Sequence, residues 1–171
     1  YVDYLHNLPP MPAQIRRDRS LPETSSTQLY AGSLHGFGLA AVKWLAQGSR
    51  VVVTSIHGQG SYTSEVSHLD AAIAARICIG PAPASDPCAI LRLLSTIGPR
   101  RHLRGLWHGH GFTCNLKVDE LTVSCFRDSF AVRADAVDSL CAATQPLHLD
   151  YNVLFSSAGA LLAQSGAALH S

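Results

Sequence analysis

The chain has 171 residues, 47% hydrophobic and 15% charged, with 13 Lys and Arg against 12 Asp and Glu for a formal charge of +1. That composition excludes intrinsic disorder and suffices for one globular domain with a substantial core. The charge balance gives no field for gripping a nucleic-acid backbone or an anionic membrane, and no stretch approaches the roughly 18 uncharged apolar residues of a membrane span.

Residues 1–26 are rich in Pro, Arg and Ser, with Pro9, Pro10, Pro12 and Pro22 close together, and read as a linker or lead-in extension. Arg16, Arg17 and Arg19 form a small basic cluster there, read as a solvated segment. There is no apolar run of the kind a secretory signal needs, and the chain starts at Tyr1, as a piece of a longer protein would. Cys78, Cys88, Cys114, Cys125 and Cys141 are odd in number and without C-x-x-C spacing, so reduced thiols in a cytoplasmic setting are expected.

From Thr27 the pattern becomes short apolar runs alternating with helical stretches. TQLYA reads as a strand entering a glycine-rich turn, and FGLAAVKWLAQ as a helix with Leu39, Val42 and Leu45 on one face. RVVVTSI is a β-branched run, the pattern of a strand buried on both faces. SEVSHLDAAIAAR reads as one helix and ICIG as a short strand. SDPCAILRLLSTI offers Ser85 or Asp86 as N-cap and Pro87 at the first helical position. LRGLWH is a further strand, a long helical region covers roughly Thr122 to Thr144, and YNVLFSS is the fifth strand. Trp44, on a helix face, and Trp107, in a strand, read as core. Strands alternating with helices of this length predict an α/β fold, a parallel sheet with right-handed crossovers and helices on both faces.

The first strand runs into A-G-S-L-H-G-F-G, with Gly32, Gly36 and Gly38, and a helix starts directly behind it. Glycines there allow a tight turn, let a diphosphate approach the backbone, and let the helix pack against the strand. The phosphate would rest on the free amides and positive end of that helix. A dinucleotide-type turn is therefore expected, with a plain structural turn as the alternative.

GSLHGFGLAAVKWLAQGSR resembles the cofactor loop and first helix of ketoreductase domains in modular polyketide synthases and animal-type fatty acid synthases, within the short-chain dehydrogenase/reductase superfamily. Gly32, Gly36, Gly38 and Leu39 match its T-G-G-x-G-G-x-G-L pattern; Ala31, Ser33 and His35 depart from it. LRGLWHGHGFTCNLKVDELTVSCF is similar to the family's L-R-G-V-x-H-A-A-G strand and E-L-T-x-x-x-F helix start, and YNVLFSSAGALLAQSG to its F-V-L-F-S-S strand. The likeness covers roughly Thr27 to Ser171, so residues 27–171 are expected to form a ketoreductase-like domain. It implies a Rossmann-like, doubly wound parallel sheet of about five strands in order 3-2-1-4-5, incomplete at its C-terminal side. The family's sixth and seventh strands would follow Ser171, so the intact gene product is expected to be longer, or a partner to cover the fifth strand.

The resemblance also implies the chemistry: hydride delivery from NADPH to a β-keto group on an acyl chain bound to a carrier protein. In that family a Tyr donates the proton, a Ser orients the carbonyl, and a Lys holds the cofactor ribose and lowers the Tyr pKa. Carried over position by position, the Ser falls on Ser157. The Tyr position, thirteen residues later, holds His170; the Lys position, twenty-four earlier, holds Arg133. The implied cofactor contacts are Gly32, Ser33, Leu34, Gly36, Phe37 and Gly38, with His57 (or Ile56) where the family ends its second strand in an Arg for the 2′-phosphate. Pro83 stands where an Asp reaches the adenine, and His110 where a small residue follows the strand.

Concurrent departures at the Lys, Tyr, Arg and Asp positions point to a catalytically impaired, structural domain of a synthase multienzyme, with the other synthase domains as partners. The alternatives are an active NADPH-dependent β-ketoacyl reductase with altered residues, which would act on a carrier-bound acyl chain, and a nucleotide-binding module that senses rather than reduces. His108 and His110 share a strand face and could chelate, but no Asp, Glu or Cys sits at ligand spacing, and no metal is expected. Ser157 with His170 as a hydrolase couple would lack the G-x-S-x-G turn and a third member.

Overall fold

A computed structural model describes residues 26–54, 62–80, 82–97, 102–111 and 116–157. The sheet is built from β1 (Thr27–Gly32), β2 (Arg50–Thr54), β3 (Ile77–Gly80), β4 (Leu103–Gly109) and β5 (Tyr151–Leu154). All neighbours pair in parallel, in the order β3-β2-β1-β4-β5. This is the Rossmann-like α/β arrangement expected from the chain. β1 is central and buried along its whole length, and the β-branched residues Val51, Val52 and Val53 of β2 pack beside it.

Alternation along these strands sorts side chains onto two cores. Leu29, Ala31, Val52 and Leu106 face α4 (Pro87–Ile97) and α6 (Ala136–Thr144), where Ile90, Leu93 and Leu140 meet them. Tyr30, Val51 and Val53 face α1 (Phe37–Ala46), whose Val42 and Leu45 are fully covered. Burial of each such aliphatic side chain stabilises the fold by about 1.5–3 kcal/mol. Ser26, just ahead of β1, is buried and hydrogen-bonded to the Ser49 hydroxyl at 2.8 Å.

Asp86 is the cap of α4: its Oδ1 accepts from the Cys88 and Ala89 amides at 2.9 and 3.2 Å, and Pro87 opens the helix. The single helix expected over SEVSHLDAAIAAR is instead two short ones, α2 (Thr63–Ser67) and α3 (Ala71–Ala74). Asp70 causes the break, because its carboxylate accepts from the Ala72 amide at 2.9 Å and so starts a new helix rather than continuing the old one. The long helical region after Thr122 is present but not uniform. It runs as α5 (Val123–Phe130), one π turn (Ala131–Asp135) and α6. Among the described residues no helix is long and apolar enough to cross a membrane.

The reading of Trp44 as core is corrected: it is 50% exposed. It lies on α1 with its ring edge-on to Trp107 at 6.1 Å, while the helix turns Val42 and Leu45 inward in its place. Trp107 is partly covered, and its Nε1–H donates to Gln28 Oε1 at 3.0 Å. β5 lies at the sheet edge, tied to β4 by the Arg104–Asp150 ion pair and by the Asp150 amide donating to the Arg104 carbonyl at 2.7 Å.

Candidate functional site

The turn after β1 is shaped by what glycine leaves out. Gly36 has φ +51°, a left-handed conformation that a side chain would strain, and it enters α1 without a side-chain cap. A Cβ on Gly38 would fall well inside contact distance of the Ser33 carbonyl oxygen and 2.6 Å from the Tyr30 hydroxyl. A Cβ on Gly32 would meet the Tyr30 ring at 2.6 Å, and one on Gly109 would meet its hydroxyl at 2.7 Å. Tyr30 thus fills the space beneath the turn, and its hydroxyl donates to the Ser33 carbonyl at 3.5 Å. Burial, helped by the nearby Tyr62, pushes its pKa up to about 12. Leu34 is fully buried and anchors the turn from below.

Among the described residues nothing lies within 4 Å of a Cβ placed on Gly36. No acidic residue occupies the first turn of α1, so the positive end of the helix is uncompensated there, an arrangement suited to an oxyanion. The Gly38 amide itself donates to the His35 carbonyl at 3.0 Å. His35 is 72% exposed on its side chain and reaches Glu65 with Nδ1 at 3.7 Å from the carboxylate. Its imidazole therefore leans toward α2 rather than into the turn. A hydrogen bond from the Ser64 hydroxyl, before the weaker pull of His35 and His68, keeps the Glu65 carboxyl below the usual range.

Phe37 carries the turn toward a second feature. It is 64% exposed and packs edge-on against Phe155 at 4.9 Å, and Ser156 and Ser157 follow Phe155 beyond the end of β5. There a cavity of about 460 Å³ opens between the ends of β4 and β5 and the π turn. Arg133, Ser156, Ser157, His108 and His110 line it. Arg133 and Ser157, which family register puts at the Lys and Ser positions, both line this cavity. His108 is buried and its Nε2 lies 3.2 Å from the Val132 carbonyl, which can only accept, so the imidazole donates there. Burial holds its pKa below the ordinary histidine value, against the opposing pull of that carbonyl. His110 is also buried and packs its ring edge-on to His108 at 5.7 Å.

The bond from His108 acts on the residue before Arg133, within a helix turn already widened by the π geometry. π turns recur at functional sites because they re-aim side chains that an α-helix would hold elsewhere. Among the described residues no three His, Cys, Asp or Glu side chains converge as metal ligands. His57 and His170 lie outside the described residues. Pro83 lines a second cavity, of about 670 Å³, along β3 and α4, where Arg50 donates to Cys78 Sγ at 2.7 Å. Nothing in the residue pattern signalled that cavity. The props Tyr30 and Phe155 were also missed as site residues; His108, the family-matched histidine within β4, was weighed only as a metal ligand.

The model of the KR domain family matches residues 26–171. The chain belongs to this family. Among solved structures it is similar to the A-type ketoreductases from a modular polyketide synthase, with a TM-score of 0.73 at 24% identity, covering 88% of this chain and 34% of that one. A ketoreductase domain from the bacillaene assembly line gives 0.73 at 22% identity, with 85% and 36% covered. A short-chain dehydrogenase from Burkholderia cenocepacia J2315, solved in complex with NADP, gives 0.73 at 23% identity, with 88% and 62% covered. At these identities the likenesses establish the fold, and the chain spans about a third of the length of the two ketoreductases.

Proposed function

We propose that this KR-family chain is a ketoreductase-type domain of a cytoplasmic polyketide or fatty-acid synthase multienzyme, impaired in hydride transfer and retained as a structural part of the assembly. Residues 27–171 form the unit and residues 1–26 lead into it. The other synthase domains are its partners. The observation that carries this reading is the shared wall of Arg133 and Ser157, which supports the register by which a guanidinium stands in the family's amine position.

The glycine turn and the open end of α1 fit the diphosphate of a dinucleotide. Bound there, NADPH would supply the hydride in the family's reaction. Toward a keto group the chain's own residues offer less. The Ser157 hydroxyl can hold a carbonyl oxygen. A guanidinium is bulkier than an ammonium and its charge is spread over a planar fork, so Arg133 is a poor substitute for a compact cation set beside a phenol. The family's phenol position, carried over by register, holds His170, whose imidazole would have to serve as proton donor in place of a tyrosine hydroxyl.

Titration of the chain with NADPH, followed by addition of a β-ketoacyl thioester, separates the readings. Absence of NADPH binding supports the scaffold. Binding without turnover supports a nucleotide-binding module, the reading that the uncapped α1 and the Gly36 conformation favour. Binding with turnover overturns the impairment and establishes an NADPH-dependent reductase acting on carrier-bound acyl chains.

A further inference from the structure

The 460 Å³ cavity has a chemical character that a ketone site does not need. Arg133, His108, His110, Ser156 and Ser157 line it, and no carboxylate of the described residues does. Its size suits a small organic ligand. It sits beyond the carboxyl ends of β4 and β5, next to the β1–β4 pair where the winding of the sheet reverses, the crevice in which open parallel sheets bind ligands. The cluster is braced before any ligand arrives. His108 donates to the Val132 carbonyl at 3.2 Å, and His110 packs edge-on against His108 at 5.7 Å. A planar guanidinium with hydroxyl donors beside it is matched in shape and charge by a carboxylate or phosphate group.

We propose that this cavity binds a small oxyanion, a carboxylate or phosphate group held by the Arg133 guanidinium and the Ser157 hydroxyl. The proposal rests on the same Arg133–Ser157 wall as the reductase-derived reading, but its readout, anion binding without NADPH, needs neither cofactor nor turnover.

The test uses the full 171-residue chain and calorimetric titration with acetoacetate, inorganic phosphate and the uncharged ethyl acetoacetate. At least one anion binds saturably at millimolar concentration or below, and the neutral ester does not. Stronger binding of acetoacetate or of phosphate then tells which oxyanion the cavity prefers. Arg133→Gln weakens the anion by about tenfold or more, in keeping with the loss of a charge-assisted hydrogen bond. Arg133→Lys, which keeps the charge but loses the fork, costs less, and added salt weakens binding to the unsubstituted chain. Should Arg133→Gln fail to melt cooperatively, Arg133→Lys and Ser157→Ala carry the comparison. In parallel, the ring resonances of His108 and His110 shift on titration. Equal binding of the neutral ester, no binding of either anion, unchanged affinity in the folded Arg133 variants, or shifts confined to the Gly36 and Gly38 amides would each overturn the proposal.

Discussion

Replacing Gly38 by alanine tests the packing on which the whole turn depends. The new methyl would press on a backbone carbonyl, that of Ser33, and on the Tyr30 hydroxyl at 2.6 Å, so neither neighbour can yield by a simple rotamer change. Overpacking of this kind costs about 1–3 kcal/mol, while the better helix propensity of alanine returns at most about 1 kcal/mol. The net loss therefore lies between about 0 and 3 kcal/mol, toward the upper end because a backbone carbonyl is struck, and a domain of this size melts roughly 2–4 °C lower per kcal/mol. Two companions separate the causes. Gly36→Ala meets no atom within 4 Å but must adopt φ +51°, so its cost, about 1–2 kcal/mol, is backbone strain alone. Gly111→Ala meets nothing within 4 Å and carries no such conformation, so it stays within about 0.5 kcal/mol of the parent. Thermal melts followed by circular dichroism provide the comparison. If Gly38→Ala melts with Gly111→Ala rather than below it, α1 does not pack on the turn as described.

Other substitutions probe separate links. Asp86→Ala removes the cap that accepts from Cys88 and Ala89, and lowers stability by about 1 kcal/mol in a denaturant titration, whereas Asp86→Asn or Asp86→Ser loses little. His108 has a depressed pKa in the fold, so the unfolded chain binds more protons as pH falls through the ordinary histidine value, and stability drops there. His108→Phe removes that component, and the melting-temperature gap between parent and variant narrows on going from about pH 7.5 to about pH 5.5. Tyr30 behaves oppositely in alkali: its raised pKa means that stability is lost as pH climbs from about 10 toward 12. An ultraviolet titration shows a late-ionising phenol that is absent in Tyr30→Phe.

The strands were legible because each is a short apolar or β-branched run bounded by turn residues, and burial on both faces leaves few other uses for such a run. Asp86 followed by Pro87 was equally plain, since cap and first-turn chemistry are local. The break at Asp70 was not, because a carboxylate in an Ala-rich stretch competes with its own backbone only once the flanking segments have packed. Nor was the π turn around Arg133, whose Val132 carbonyl is engaged by a histidine from a strand twenty-four residues away in sequence. Trp44 was misread for a related reason. Helical spacing names a face but not how much of each side chain the sheet covers, and this ring stands edge-on over Trp107 of β4 with half its surface exposed. At the candidate site, Arg133 and Ser157 came from family register, and the cavity brings them together. Tyr30 gave no sign, since an aromatic residue in a central strand is ordinary core until its hydroxyl is seen beneath a turn.

Deuteride transfer provides the most direct test of silenced chemistry. The 171-residue chain is incubated with NADPH deuterated at the transferable position and a β-ketoacyl thioester, and the acyl product is weighed by mass spectrometry. No deuterated β-hydroxyacyl product is expected above a protein-free control; a deuterated alcohol formed in proportion to protein would refute the impairment.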